Sequence, residues 1–203
     1  MNLKEHVLEE LELHEYYVRD ALQCLLHTIL FVRAPGSLRP REVGARGSTV
    51  ASGRACGARD VDVAVDGALE DFWGSLRPAG PDLSKGWIAV SFFMRRVQRS
   101  FGLFLKEEKV VWEQWVIPVL VNTSPRPMEE DETSVLARGR LQETAIGLVQ
   151  GRLLDILNSV NDCIDHVPPV GTEYEFEMMS APRGDRRESV YARLMQAPSP
   201  LNL

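Results

Sequence analysis

The sequence has few of the residues from which most metal and redox sites are built. It contains three cysteines, Cys24, Cys56 and Cys163, which are far apart and form no Cys-x-x-Cys pair. This spacing gives no support to a zinc knuckle or to a thioredoxin-like redox pair. We therefore expect reduced thiols, as in a cytosolic protein.

Histidine is scarce as well, and the common catalytic motifs are absent. The four histidines show no His-x-x-x-His spacing, and His27 is interpreted as a core or boundary residue of an apolar helix. The sequence has no glycine-rich phosphate loop and no Gly-x-Ser-x-Gly elbow. Asp60 and Asp62 lack the further ligands that a magnesium site needs. We expect no catalytic residues, no cofactor and no metal, and hence a protein that is not an enzyme.

Long hydrophobic runs and a basic charge balance are also missing. The longest apolar run, from Leu25 to Val32, is interrupted by His27 and is far shorter than the roughly 20 residues of a membrane span. The N-terminus does not resemble a signal peptide. The net charge of −6 and the pI near 5.3 argue against nucleic-acid binding. We predict a soluble, cytoplasmic protein without direct membrane insertion.

The length and hydrophobic content of the chain suit one globular domain. A chain of 203 residues with 44% hydrophobic residues can bury a sizeable core, so we predict a single domain over residues 1–203. Residues 33–60 are rich in glycine and arginine, and we expect largely a mobile loop with a weak hairpin around Leu38 to Val43. Residues 195–203 are expected to be frayed.

Hydrophobic periodicity changes within the N-terminal segment. Val7, Leu11 and Leu13 share one parity, which predicts a strand that ends near Leu13. Helical spacing follows and predicts a helix from Glu15 to Phe31. A single long helix is the alternative. Further along, alternation over residues 61–65 predicts a short strand before a helix that starts at Asp66.

The second half of the chain predicts an extended hairpin and a long helix. Trp87–Phe93 and Val110–Val121 are β-branched and aromatic, as strands favour. Helical spacing extends from Glu129 to about Asp165, and one more strand is predicted at Tyr174–Met178. This order predicts an α+β fold: an antiparallel sheet with helices packed on one face and a long central helix.

Apolar residues also lie in the charged connection of the hairpin. Phe101, Leu103 and Phe104 are flanked by basic residues before them and mainly acidic residues after them. Apolar side chains at such a tip are hard to bury in their own domain, and an exposed apolar cluster usually marks a docking site. The alternative is that the connection folds back and these residues complete the core.

Several segments together resemble the autophagy-related protein 101 family, a group of HORMA-domain proteins. They are the Leu-His-Thr segment at 26–28, Asp-Val-Asp at 60–62, Trp-Glu-Gln-Trp at 112–115 after the charged hairpin, and the long helix before His-Val-Pro-Pro at 166–169. The resemblance implies a HORMA-like fold without enzymatic activity. It also implies a heterodimer with the HORMA domain of autophagy-related protein 13, which this family stabilises.

Through that partner, the resemblance implies a place in the autophagy-initiation serine/threonine kinase complex at the phagophore assembly site. Many members of the family carry a Trp-x-Phe finger on the hairpin, which recruits downstream factors. This sequence has no tryptophan in residues 94–109, and Phe101, Leu103 and Phe104 would form a reduced finger.

The long helix would offer a broad face to the partner, with Arg138, Gln142 and Gln150 as candidate contacts. The alternative function is that of another HORMA module, of the checkpoint or meiotic type, which captures a peptide by closing a C-terminal belt. We expect the segment after Pro169 to be too short for belt closure. An undetected small hydrolase is a third, less favoured reading.

Overall fold

A computed structural model of the protein describes residues 3–33, 40–43, 53–56, 59–100, 104–125, 132–169 and 175–181. In chain order the elements are β1 (Lys4–Val7), β2 (Leu11–His14), α1 (Glu15–Arg33), β3 (Pro40–Val43), β4 (Gly53–Cys56), α2 (Arg59–Ser75), β5 (Arg77–Gly80), β6 (Leu83–Ser100), β7 (Phe104–Asn122), α3 (Glu132–Asp162) and β8 (Glu175–Ala181).

The antiparallel pair β6 and β7 forms the centre of the main sheet. Its register runs from Leu83 opposite Asn122 to Ser100 opposite Phe104, so the predicted extended hairpin is confirmed. β5 and β8 pair antiparallel with β6 at its other edge. β-Branched and aromatic residues fill both central strands because their side chains pack well on a pleated surface.

The N-terminal segment pairs with β7 in the parallel direction. Lys4 lies opposite Glu113 in β1, and Leu11 lies opposite Val119 in β2. The predicted strand is therefore two short strands, and α1 follows at Glu15 as predicted. The sheet is mixed rather than antiparallel throughout, because the chain enters alongside β7 in the same direction. The predicted α+β, HORMA-like fold class is confirmed.

The strand predicted over residues 61–65 is wrong. This segment belongs to α2, in which Val61, Val65 and Leu69 are buried while Val63 is 65% exposed. Three valines at alternate positions favour a strand, but the positions i, i+4 and i+8 also form one face of a helix. Packing of that face against the core decides the structure, since intrinsic propensity is a weak constraint.

The three helices pack on one face of the main sheet. The core there joins the buried faces of α1, α2 and α3 to the inward side chains of β6 and β7. In α3 the buried residues include Ala145, Val149 and Ile156, at the spacing predicted from the sequence. A smaller apolar cluster, which includes Trp87 and Phe93, lies on the opposite face of the sheet.

The glycine-rich region contains a short ribbon. The sequence predicts a weak hairpin around Leu38 to Val43, but the structure has a single strand there, β3, which pairs antiparallel with β4 at Gly53–Cys56. At the ends of the predicted mobile loop, Arg33 belongs to α1, and Arg59 and Asp60 belong to α2. Apart from β3 and β4, its other residues lie outside the described residues, as does the predicted frayed end at 195–203. Within the described part, no helix has an apolar stretch of the length that a bilayer crossing requires.

We expect substitution of Gly86 to reveal how closely α2 packs on β6. A Cβ atom there would lie 2.9 Å from Cδ2 of Leu76 and 3.1 Å from Cε2 of the buried Phe72. Gly86→Val should lower the free energy of unfolding by about 1–3 kcal/mol through overpacking, as measured by urea denaturation.

The matched control for this contact is Gly67, which lies exposed within α2 with no atom near its missing Cβ. Gly67→Ala should raise the free energy of unfolding by about 0.5–1 kcal/mol because alanine favours the helix. Equal effects at the two positions would contradict the close approach at Gly86.

Candidate functional site

A β-bulge arranges the tryptophan-containing part of β7. Phe92 lies opposite Glu113 and Phe93 lies opposite Val111, so Trp112 is an extra residue with no partner position in β6. The bulge turns Trp112 to the helical side of the sheet, where Glu113 and Trp115 also lie. Three neighbouring side chains of one strand thus point into the same core.

The carboxylate of Glu113 is fully buried and accepts hydrogen bonds on both oxygens. Nε of Arg33, the last residue of α1, donates to Oε1 over 2.9 Å, and the indole N–H of Trp115 donates to the same oxygen. Nε2 of His166 lies 2.6 Å from Oε2. A buried carboxylate is tolerated only with such compensation. The Glu113 cluster, defined as His6, Arg33, Glu113, Trp115 and His166, therefore holds distant parts of the chain together.

Arg33 extends this network to the segment that follows α3. Its Nη2 donates a hydrogen bond of 3.0 Å to the carbonyl oxygen of Cys163. His166, three residues further on, contacts Glu113 directly, and its ring lies 5.8 Å from that of Trp112. The exit of α3 is thus fixed to both α1 and β7.

His6 completes the cluster from β1. Its ring stacks on Trp115 with a centroid separation of 4.1 Å and an interplanar angle of 14°. The residue is 8% exposed, and its Nε2 has no hydrogen-bond partner within the described structure. Burial lowers the pKa of His6 to about 4, and the opposing effect of the Glu113 carboxylate is smaller. The imidazole is therefore neutral near pH 7.

The cluster combines three side chains of the types that bind transition metals. Ligand atoms of His6, Glu113 and His166 lie within 4.8 Å of one another. Two imidazoles and a carboxylate are a known ligand set for zinc. Histidine spacing along the sequence does not reveal this group, since its members lie on β1, on β7 and after α3.

The predicted dimer-face residues all lie on α3. Gln150 is exposed, while Gln142 and Arg138 are half-buried. The carbonyl oxygen of Arg138 accepts a hydrogen bond of 3.3 Å from the hydroxyl of Tyr17 in α1. Of the three, Gln150 is therefore the one whose side chain is most accessible, and the role of all three as partner contacts stays a prediction.

The predicted finger lies at the end of the central hairpin. Phe101 and Leu103 fall outside the described residues, and Phe104 is the first residue of β7. Phe104 lies opposite Ser100 at the end of the pairing between β6 and β7. The role of Phe101, Leu103 and Phe104 in docking stays a prediction.

Comparison with known proteins identifies the family. The family model described as autophagy-related protein 101 matches residues 10–174. The chain is also 32% identical over 198 residues to the autophagy-related protein 101 of Arabidopsis thaliana, an alignment that covers 88% of this chain and 87% of that protein. The chain belongs to the autophagy-related protein 101 family. Its role is therefore in autophagy.

The family match covers most but not all of the Glu113 cluster. Arg33, Glu113, Trp115 and His166 lie within residues 10–174, while His6 precedes the matched range. The motif at 112–115, which carried the resemblance to the autophagy-related protein 101 family, thus coincides with the structural centre of the domain.

Sequence reasoning missed the cluster although two signals were present. Glu113 is the only charged residue in the stretch from Val110 to Val121, where it lies between two tryptophans, and Arg33 ends an apolar helix. Charged residues in such positions need a buried partner. The identity of that partner depends on the fold, because 80 residues separate Arg33 from Glu113 along the chain.

We expect loss of the Glu113 charge to be strongly destabilising. Glu113→Gln removes the negative charge that pairs with the buried guanidinium of Arg33, so the free energy of unfolding should fall by about 3–5 kcal/mol in urea denaturation. The double substitution Arg33→Met with Glu113→Gln should recover part of this loss.

The exposed ion pair between Arg19 and Glu70 provides the matched control. Its Nη1 to Oε1 distance is 2.7 Å, but the side chains of Arg19 and Glu70 are 42% and 70% exposed, whereas those of Arg33 and Glu113 are buried. Glu70→Gln should change the free energy of unfolding by less than about 1 kcal/mol. A similarly small effect of Glu113→Gln would contradict the central role of the buried carboxylate.

Proposed function

We propose that this chain is a non-catalytic adaptor of autophagy initiation. It forms a heterodimer with the HORMA domain of autophagy-related protein 13, stabilises that partner and helps to assemble the initiation kinase complex. It acts in the cytoplasm, at the phagophore assembly site. Membership of the autophagy-related protein 101 family supports a role in autophagy. The exposed outward face of α3 supports docking of a protein partner.

The outward face of α3 carries an exposed apolar stripe. Leu136, Leu154 and Leu157 are exposed, the first two by 57% and 60%. Together with Gln150 they recur at helical spacing along one side of the helix. Among the described residues, eight large hydrophobic side chains are exposed, and four of them lie on α3. Such a concentration on one element is typical of a docking face.

Small and polar residues complete the same stripe. Gly147 lies between the leucines, and no atom lies within 4 Å of the position where its Cβ would be. Another helix can therefore approach the backbone of α3 closely at this point. Glu143 and Gln150 are exposed on the same side and would supply a polar rim around the apolar contacts.

The central hairpin offers a second contact region. Beyond Phe93 and Val111 neither strand pairs with a third strand within the described residues, so the hairpin continues as a two-stranded ribbon. At its base, Arg95 forms an ion pair of 2.7 Å with Glu175 of β8. A ribbon of this kind suits the recruitment of a further factor while α3 binds the HORMA partner.

We expect negative charge on the α3 stripe to weaken the heterodimer strongly. The double substitution Leu154→Asp with Leu157→Asp should weaken binding to the HORMA domain of autophagy-related protein 13 by at least about 30-fold, since hot-spot contacts are worth about 2 kcal/mol or more. Calorimetric titration measures the affinity, and circular dichroism confirms that the variant is folded.

The control places the same charge on another exposed apolar position. Val63→Asp on α2, which is also exposed, should leave binding unchanged. Unchanged binding of the double α3 variant would contradict the proposed face. A chain that captures linear peptides but ignores the HORMA partner would favour the checkpoint or meiotic type of module instead.

We expect the hairpin tip to act after dimer formation. Phe101→Ala with Phe104→Ala should leave the heterodimer intact and reduce the recovery of later autophagy factors when the chain is purified from starved cells. Loss of folding in this variant, seen by circular dichroism, would show that the phenylalanines belong to the core and would contradict a recruiting role.

A further inference from the structure

The Glu113 cluster contains a neutral buried imidazole that its structural role does not use. Arg33 and Trp115 both donate to Oε1 of Glu113, and His166 contacts Oε2. These hydrogen bonds offset the cost of burying the negative charge of Glu113, and His6 contributes none of them. Nε2 of His6 is nevertheless buried without a hydrogen-bond partner in the described structure, a costly arrangement for a polar atom.

We propose that His6, Glu113 and His166 form a binding site for a divalent transition metal ion, with zinc as the expected ion. Each residue supplies one ligand atom, and these atoms already lie within 4.8 Å of one another. Imidazole nitrogen and carboxylate oxygen suit zinc, which is commonly held by two histidines and a glutamate with one position left for water.

The remaining members of the cluster are placed to orient the ligands. Arg33 and Trp115 occupy Oε1 of Glu113, which leaves Oε2 to His166. Hydrogen bonds to the second oxygen of a carboxylate ligand fix its direction, as is usual around metal sites. Stacking on Trp115 fixes the plane of the His6 ring in the same way.

Metal binding requires only a local adjustment of the three ligands. Nε2 of His166 lies 2.6 Å from Oε2 of Glu113, close enough for a shared proton. Ligand atoms that are each about 2.0–2.2 Å from a tetrahedral zinc ion lie roughly 3.3 Å apart. The metal would therefore replace this proton, with His166 moving slightly away and His6 moving closer. His166 lies in the segment after α3, outside any helix or strand, which makes this shift feasible.

The positive charge of Arg33 sets the expected strength of the site. The guanidinium already neutralises the only carboxylate among the three ligands. We therefore expect weaker binding than at closed structural sites with several thiolates. A bound ion would still join β1 and β7 to the segment after α3, and would thereby stabilise the folded chain by an amount that rises with the logarithm of the free ion concentration above the dissociation constant.

Cobalt(II) titration of the full-length chain, freed of metal with a chelator, tests the site directly. We expect one cobalt ion per chain, with visible absorption typical of nitrogen and oxygen ligands and displacement by zinc. His6→Phe keeps a ring on Trp115, and His166→Gln keeps a hydrogen-bonding group near Glu113. Each should weaken cobalt binding by at least about tenfold, because one of three ligands is lost.

His14 provides the control, because it is also a buried histidine but its Nε2 bonds the carbonyl oxygen of Pro125, 2.8 Å away. His14→Gln should leave cobalt binding unchanged. Zinc should raise the melting temperature of the unsubstituted chain and of His14→Gln, but not that of His6→Phe. Absence of stoichiometric binding, or equal binding by all variants that circular dichroism shows to be folded, would overturn the proposal.

Discussion

The buried charge of Glu113 is the constraint on which the rest of the structure depends. A carboxylate in a strand core is stable only when its partners arrive from elsewhere in the fold. Here they come from the end of α1 and from the segment after α3, so the ion pair with Arg33 and the contact with His166 fix both helices against β7. This arrangement positions α3 with its inner face on the core and its outer face exposed.

That division of α3 into two faces connects the core to the proposed function. The inner face of α3 buries Ala145, Val149 and Ile156 in the core, whereas Leu154 and Leu157 on the outer face are exposed. Arg152, in the C-terminal half of α3, pairs with Asp155 on the same helix and with Glu9 between β1 and β2. An adaptor needs a rigid face more than reactive groups, because a preformed surface loses less entropy when its partner binds.

Local hydrophobic patterns predicted most of the helices and strands. The features that these patterns did not predict depend on contacts between residues far apart in the sequence. Alternation at Leu11 and Leu13 and helical spacing in α3 reflect burial of one face, so they could be read from the sequence. The segment from Val61 to Val65 fits either period, and only packing against α1 and the sheet decides for the helix. Parallel pairing of β1 with β7 leaves no local signal.

The Glu113 cluster could not be predicted from the sequence either, because it too depends on contacts between residues far apart in the chain. Its residues come from β1, α1, β7 and the segment after α3, and 53 residues separate Glu113 from His166. A motif such as Trp-Glu-Gln-Trp therefore marks a position of importance without indicating its partners. The bulge at Trp112, which turns neighbouring side chains to one face, depends on the register with β6 and could not be predicted from the strand alone.

Hydrogen–deuterium exchange of the chain, alone and bound to the HORMA domain of autophagy-related protein 13, tests the central claim most directly. If α3 is the docking face, its amides should exchange more slowly in the complex, because a bound partner suppresses local opening of the helix. Protection confined to other elements, with exchange in α3 unchanged, would contradict the account.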